Sequence, residues 1–257
     1  MTDFDLAVCA EMVFRDLPIL ERVRRIDALG FAVEIWSWHG KDLAALAATG
    51  ARFSSMTGYL HGDLIDPASA DEVVQTAELS IKAAETLGVP RLNLHTAELV
   101  DGQAARPRQR ATGQMWLTAQ RTLERIGELG AKAGVTFCVE NLNTIVDHPG
   151  VPLARAKDTL ALIEGVDHPN VKMMLDLYHA QIGEGNLVEL VRRCGPAIGE
   201  IQVADVPGRC EPGTGEIYYP AIATALRDMG YRGTIGLEAW ASGDSDEALR
   251  AFRAAFS

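Results

Sequence analysis

Four oxygen-bearing side chains, Glu140, Asp176, Gln202 and Glu238, each close a short apolar run. The runs are "VTFCVEN" from Val135, "VKMMLDL" from Val171, "IGEIQVA" from Ile198 and "GTIGLEA" from Gly233. Three carboxylates sharing one space repel one another unless a cation or shared protons neutralise them. With the amide oxygen of Gln202 they make a donor set suited to one hard divalent cation such as Mg²⁺ or Mn²⁺. The alternative is a row of acids that cap the following helices and hold no metal. Other polar residues stand at comparable positions. His95 closes "RLNLHT", Glu34 and Trp36 belong to "FAVEIW", and Asp205 follows Gln202 closely. His179 comes three residues after Asp176 in "LDLYHA", where it either reaches the same space or lies on the surface. His39 and His61 fall in loops, and their roles and that of Glu34 stay open. His148 and His168 both sit in "DHP", which reads as turns with structural histidines.

Other chemistries find little support. There is no G-x-x-x-x-G-K-[ST] loop and no G-x-S-x-G elbow. Cys9, Cys138, Cys194 and Cys210 are scattered and form no C-x-x-C pair, against a zinc ribbon, a disulfide scaffold or a thioredoxin-like site. The stretch "VPGRCEPGTGEI" places Arg209, Glu211 and Glu216 among glycines and prolines. It is a phosphate cradle, a substrate clamp or a plain surface crossing.

Eight β-rich runs must position these residues. Besides the four above they are "FDLAVCA" from Phe4, "FAVEIW" from Phe31, "ARFSSMT" from Ala51 and "RLNLHT" from Arg91. Between them lie amphipathic stretches such as "LPILERVRRIDALG" and "ADEVVQTAELSIKAAETLG", ended by glycine as helices commonly are. The final "SDEALRAFRAAF" supplies the last helix, with Ser245 as its expected N-cap. Eight strands each followed by a helical pattern predict an α/β fold, a single (β/α)₈ TIM barrel spanning residues 1–257. An open doubly wound sheet is the rival, but no G-x-G-x-x-G follows the first strand. In a barrel the C-terminal strand ends form the active site, so the four oxygen-bearing residues point into one space about 10 Å across.

Composition narrows the partners. The chain has 257 residues, 47% of them hydrophobic and 23% charged, enough for a sizeable core. Its formal charge of −11 repels nucleic acid in the absence of a local basic groove. The start, "MTDFDLAVCAEM", lacks a signal-peptide layout, and no apolar run reaches membrane-spanning length. The reading is a cytoplasmic protein with a small-molecule partner, no nucleic acid and no membrane; a homo-oligomer is left open.

The segment "GEIQVADVPGRCEPGTGEIYY", with "GYRGTIGLEAW", "NVKMMLDLYHAQIGEGNL" and "CVENLNTIVDHPGVPL", resembles the hydroxypyruvate isomerases. These belong to the xylose-isomerase-like TIM barrels, with ketose 3-epimerases and inosose-processing enzymes. The resemblance is dense from about Val135 onward and architectural before it. It implies that Glu140 and Glu238 bind metal and handle protons, and that Asp176 and Gln202 complete the metal shell. It also implies that His179 and Arg209 hold the substrate; His95, from its place at a strand end, is expected to face the mouth and touch the substrate too. Asn141 and Glu216 are expected to support these groups from behind. The chain departs from the family in "ENLN" and in "EAWASGDSDEAL", both lining the expected mouth.

The activity so implied is that of a metal-dependent isomerase. Such an enzyme removes a proton beside a carbonyl and returns one to the neighbouring carbon through an enediolate. The expected reaction converts hydroxypyruvate to tartronate semialdehyde, or a close 2-keto-acid or ketose analogue in the same way. The alternatives are a ketose 3-epimerase or an inosose isomerase or dehydratase on the same barrel. Further off are an endonuclease-IV-like enzyme and a non-catalytic ligand-binding barrel.

Overall fold

Eight parallel strands close on themselves in chain order. They are β1 (Asp5–Cys9), β2 (Ala32–Glu34), β3 (Phe53–Thr57), β4 (Arg91–Leu94), β5 (Thr136–Glu140), β6 (Val171–Asp176), β7 (Ile198–Val203) and β8 (Thr234–Leu237). The expected barrel is therefore the observed one. The structure is a computed structural model and describes residues 4–257. Each strand reads as a near-continuous apolar run because helices cover its outer face while side chains fill the interior. In β6, for example, every residue but Lys172 is buried.

Helices pack around this wall. They are α1 (Ile19–Ala28), α2 (Leu43–Ala47), α3 (Ala70–Leu87), α4 (Gly113–Ala133), α5 (Ala156–Val166), α6 (Leu177–Gly183), α7 (Leu187–Cys194), α8 (Tyr219–Asp228) and α9 (Ser245–Ala255). Gly88 and Gly134 end α3 and α4 in the left-handed conformation, at φ 68° and 71°, which glycine enters without steric cost. The crossover from β6 to β7 is divided between two short helices. After β4 a small hairpin pairs Leu99–Val100 with Gln103–Ala104 around the Asp101–Gly102 turn. Among the described residues no helix is long and apolar enough to cross a membrane.

The barrel floor is polar. Buried Glu200 on β7 accepts from Arg91 and, at 3.0 Å, from Ser55, and Arg91 reaches on to Thr234 at 2.6 Å. These groups satisfy one another at the N-terminal end of the strands and leave the opposite end to the mouth.

One capping expectation is corrected. Asp244, not Ser245, caps α9: its carboxylate accepts from the Glu247 amide at 3.0 Å. Ser245 Oγ accepts instead from the Phe14 amide at 2.9 Å and ties the last helix to the loop after β1. Asp244→Ala should therefore cost about 1 kcal/mol of stability, read as a lower urea midpoint at unchanged slope.

Candidate active site

Strand register brings the predicted residues together. Asp176 at the end of β6 lies opposite Gln202 on β7, and Gln202 in turn opposes Gly236 on β8, two residues before Glu238. Glu140, Gln202, Glu238, His95, His179 and Arg209 all line one cavity of about 660 Å³ at the C-terminal end of the barrel. Asp176 is buried next to His179, its carboxylate accepting from the His179 amide at 2.8 Å.

Glu140 accepts from Asn93, and His95 Nε2 lies 3.1 Å from the same oxygen. Burial alone would raise this carboxyl. The His95 hydrogen bond and charge, then Asn93 and Arg209, hold it below its ordinary range. His95 Nε2 donates to Glu140, and its Nδ1 lies 3.0 Å from the Tyr59 hydroxyl, which donates in turn to the Ala97 carbonyl at 3.3 Å.

Glu238 faces a different environment. Trp36 Nε1 donates to one of its oxygens and Arg209 Nη2 to the other, each at 2.6 Å. Burial pushes its carboxyl up, Arg209 opposes that, and the nearby Glu140 charge adds to it. Asp176 is also pushed up by burial, against Arg209, with Glu140 and Glu238 adding to the rise. The two glutamates thus sit in contrasting surroundings, one held by histidine and amide, the other by indole and guanidinium.

The tautomer of His179 follows from its neighbour. Asn143 Oδ1 accepts from the Val146 and Asp147 amides at 2.9 and 3.1 Å, which fixes which end of that amide is the NH₂. Asn143 Nδ2 lies 2.7 Å from His179 Nδ1 and donates to it. The ring proton is therefore on Nε2, 3.7 Å from Glu140 and 3.8 Å from Asp176, and this N–H has no hydrogen-bond partner among the described residues. Burial, and then the charge of Arg209, keep the ring neutral. A buried N–H aimed between two carboxylates is placed to donate to a ligand oxygen and carries no lone pair for a cation.

Arg209 reaches the mouth from the loop after β7, and this loop is built around Asp205. The buried Asp205 carboxylate accepts from the amides of Val206, Gly213 and Ile217, each at 2.9 Å. Its carbonyl accepts from the Arg209 amide at 3.1 Å, and the Arg209 carbonyl accepts from Trp240 at 2.9 Å. These bonds hold Arg209 at φ 54°, a left-handed conformation unusual for a residue with Cβ. Its guanidinium lies over the Tyr178 ring at 5.0 Å, and its Nε is buried without a partner among the described residues.

The structure also redraws parts of the sequence reading. Glu216, expected behind the ligands, is exposed and accepts from Gln181 at 3.0 Å, while its backbone N–H donates to the Val206 carbonyl at 2.7 Å. His148, read as a structural turn residue, lines the cavity against His179 with ring centres 5.0 Å apart. His39 and His61 are exposed, and His61 pairs with Glu98 at 3.0 Å. Asn141 clamps the backbone of Asp176, donating to its carbonyl at 2.9 Å and accepting from its amide at 3.0 Å. Asn93, Trp36, Tyr59 and Asn143 were not singled out for these roles. Strand alternation was the available signal for the first, since Asn93 on β4 and His95 just past its end are two residues apart.

A divalent cation fits this donor set. Ligand atoms of Glu140, Asp176 and His179 lie within 4.8 Å of one another, and the His179 proton leaves that role to the oxygens. Gln202 donates Nε2 to Glu34 at 2.6 Å, and its buried Oε1 has no partner among the described residues. An orphaned buried amide oxygen beside a carboxylate cluster is a hard-cation ligand in kind.

A family model described as xylose isomerase-like TIM barrel matches residues 30–255. A Danio rerio protein provisionally named a hydroxypyruvate isomerase is 30% identical, across 96% of this chain and 95% of that protein. A 2-oxo-tetronate isomerase of Haemophilus influenzae is 28% identical, across 94% of this chain and 95% of that protein. Among solved structures, one described as an AP endonuclease of family 2 from Brucella melitensis superposes with a TM-score of 0.85 at 26% identity, covering 100% of both chains.

Proposed function

The chain belongs to the xylose isomerase-like TIM barrel family, and from that premise we propose a metal-dependent isomerase acting on a small 2-keto acid. Hydroxypyruvate and 2-oxo-tetronate are the substrates that the names of these relatives carry. The observation that carries the reading is the pair Glu140 and Glu238, lining one cavity from strands β5 and β8. Glu140, Asp176, Gln202 and Glu238 would hold the divalent cation, Mg²⁺ or Mn²⁺, which when bound supplies Lewis-acid polarisation of the carbonyl.

The protein groups divide the remaining work. One glutamate takes the proton from C3 of hydroxypyruvate, a carboxyl group delivers a proton to C2, and the O3 hydroxyl proton passes to O2, giving the C3 aldehyde and C2 alcohol. The His179 Nε2–H hydrogen-bonds the oxygen on which negative charge develops. Arg209 offers its buried Nε, without a partner among the described residues, to the substrate carboxylate, while Trp36 and Arg209 keep the Glu238 carboxyl oriented. The four free cysteines agree with a reducing, cytoplasmic setting.

A second reading, ketose 3-epimerase, is favoured by the cavity itself: about 660 Å³ admits a larger substrate than a three-carbon acid. An endonuclease, the description of the Brucella neighbour, is less supported, because the net charge of −11 opposes a nucleic-acid substrate. The test is turnover by Mn²⁺-loaded protein in D₂O, with hydroxypyruvate, 2-oxo-tetronate and a panel of neutral ketoses. Deuterium appearing in product from either acid is the expected result. Exchange confined to C3 of ketoses would move the assignment to epimerase, and exchange with none would sink both readings.

A further inference from the structure

An amide ligand has a problem that a carboxylate does not. Gln202 can present either an oxygen or an NH₂ group to the mouth, and only the oxygen binds a cation. The choice is made by whatever the other end meets. That group is Glu34, at the end of β2, three strands away around the barrel: its Oε1 accepts from Gln202 Nε2 at 2.6 Å. With the amide reversed, two oxygens would face each other in a buried space.

Three local features aim Glu34 at this task. The register between β2 and β3 shifts between Val33 and Glu34, an irregularity of the kind that re-aims a side chain at a barrel rim. Glu34 is only 3% exposed, and its second oxygen, Oε2, has no hydrogen-bond partner among the described residues, so its carboxylate is not spent on an ordinary structural pair. The third is Gly236, which sits opposite Gln202 in register. A Cβ at Gly236 would lie 2.7 Å from Glu34 Oε2, with the next atoms at 3.7 Å or beyond. The glycine keeps clear the space through which Glu34 reaches Gln202.

We propose that Glu34 is a positioning residue that fixes the Gln202 amide with its oxygen turned to the cation, and that Gly236 makes room for it. This rests on the metal-dependent reading of the site. Partners that orient metal ligands typically change metal affinity by about 10–100-fold when removed.

The test is Mn²⁺ affinity by titration calorimetry on folded protein, verified by circular dichroism, for wild type, Glu34→Ala, Glu34→Gln and Gly236→Ala. Glu34→Ala should weaken binding by about 10–100-fold. Glu34→Gln removes the charge but keeps an acceptor for Gln202, so it should stay close to wild type. Gly236→Ala keeps every charge and ligand but displaces the Glu34 carboxylate, so it should weaken binding in the direction of Glu34→Ala. If Glu34→Gln falls as far as Glu34→Ala, Glu34 acts by charge alone and the positioning role is overturned; if Gly236→Ala binds like wild type, the role given to Gly236 is overturned. Wild-type affinity in Glu34→Ala would overturn it too. Failure of the wild-type protein itself to bind Mn²⁺ would remove the metal reading, and this inference with it.

Discussion

Glu140→Gln and Glu238→Gln should each lower kcat by about 10²–10⁴, the usual contribution of a positioned acid or base. Each exchange keeps a similar shape and one oxygen while removing the carboxyl that exchanges a proton. For Glu140→Gln the neighbours Asn93 and His95 remain, so the cavity should persist and KM should change less than kcat. Glu238→Gln also removes the charge that holds Arg209 Nη2 at 2.6 Å, and KM for an acid substrate should shift as well. The double variant should be little worse than the poorer single one, because acid and base serve the same transfer and their losses do not add. The measurement is steady-state turnover with deuterium incorporation in the same samples. Near-wild-type exchange in both single variants would show that the protons travel by another route.

How far the sequence discloses such a site depends on where a residue sits along its strand. Glu140, Asp176 and Glu238 were legible because a parallel strand buried on both sides is an apolar run, and its first carboxylate at the C-terminal end is conspicuous. Glu200 shows the limit. It lies two residues before Gln202, on the same face of the same strand, yet it pairs with Arg91 at the barrel floor. Depth in the barrel, not residue type, separates a residue at the mouth from one at the floor. Glu216 was misjudged because nearness in sequence to Arg209 says nothing about which way a folded-back loop turns its side chains. His148 lies in the expected turn, but a turn signal describes backbone and leaves open that the ring lines the cavity. The role of Glu34 was illegible because it depends on a partner 168 residues away and on a register shift that no local pattern announces.

Asp205→Ala should be the most damaging change outside the proposed ligands. Its carboxylate is the side-chain acceptor for the Val206, Gly213 and Ile217 amides, all within the loop that presents Arg209. Orphaning a buried donor costs about 1–3 kcal/mol, so losing three acceptor contacts should destabilise the protein by about 3 kcal/mol or more if the loop keeps its shape. The loop can avoid that cost by opening to water. Arg209 would then relax from φ 54° and lose the backbone bonds to Asp205 and Trp240 that hold it there. Either response has a signature: a large fall in the urea midpoint, or a smaller fall with a raised KM for acid substrates. Asp205→Asn should be intermediate, since its one oxygen can still serve Val206 and Ile217 while its NH₂ would face the Gly213 amide. Gly215→Ala approaches the same loop from the other side. Its Cβ would lie 2.1 Å from the Val206 carbonyl oxygen and 2.7 Å from Asp205 Oδ1, and a backbone atom at that distance can be relieved only by moving the loop. If Asp205→Ala and Gly215→Ala both kept wild-type stability and KM, Arg209 would owe its position to the Glu238 and Tyr178 contacts rather than to the loop beneath it.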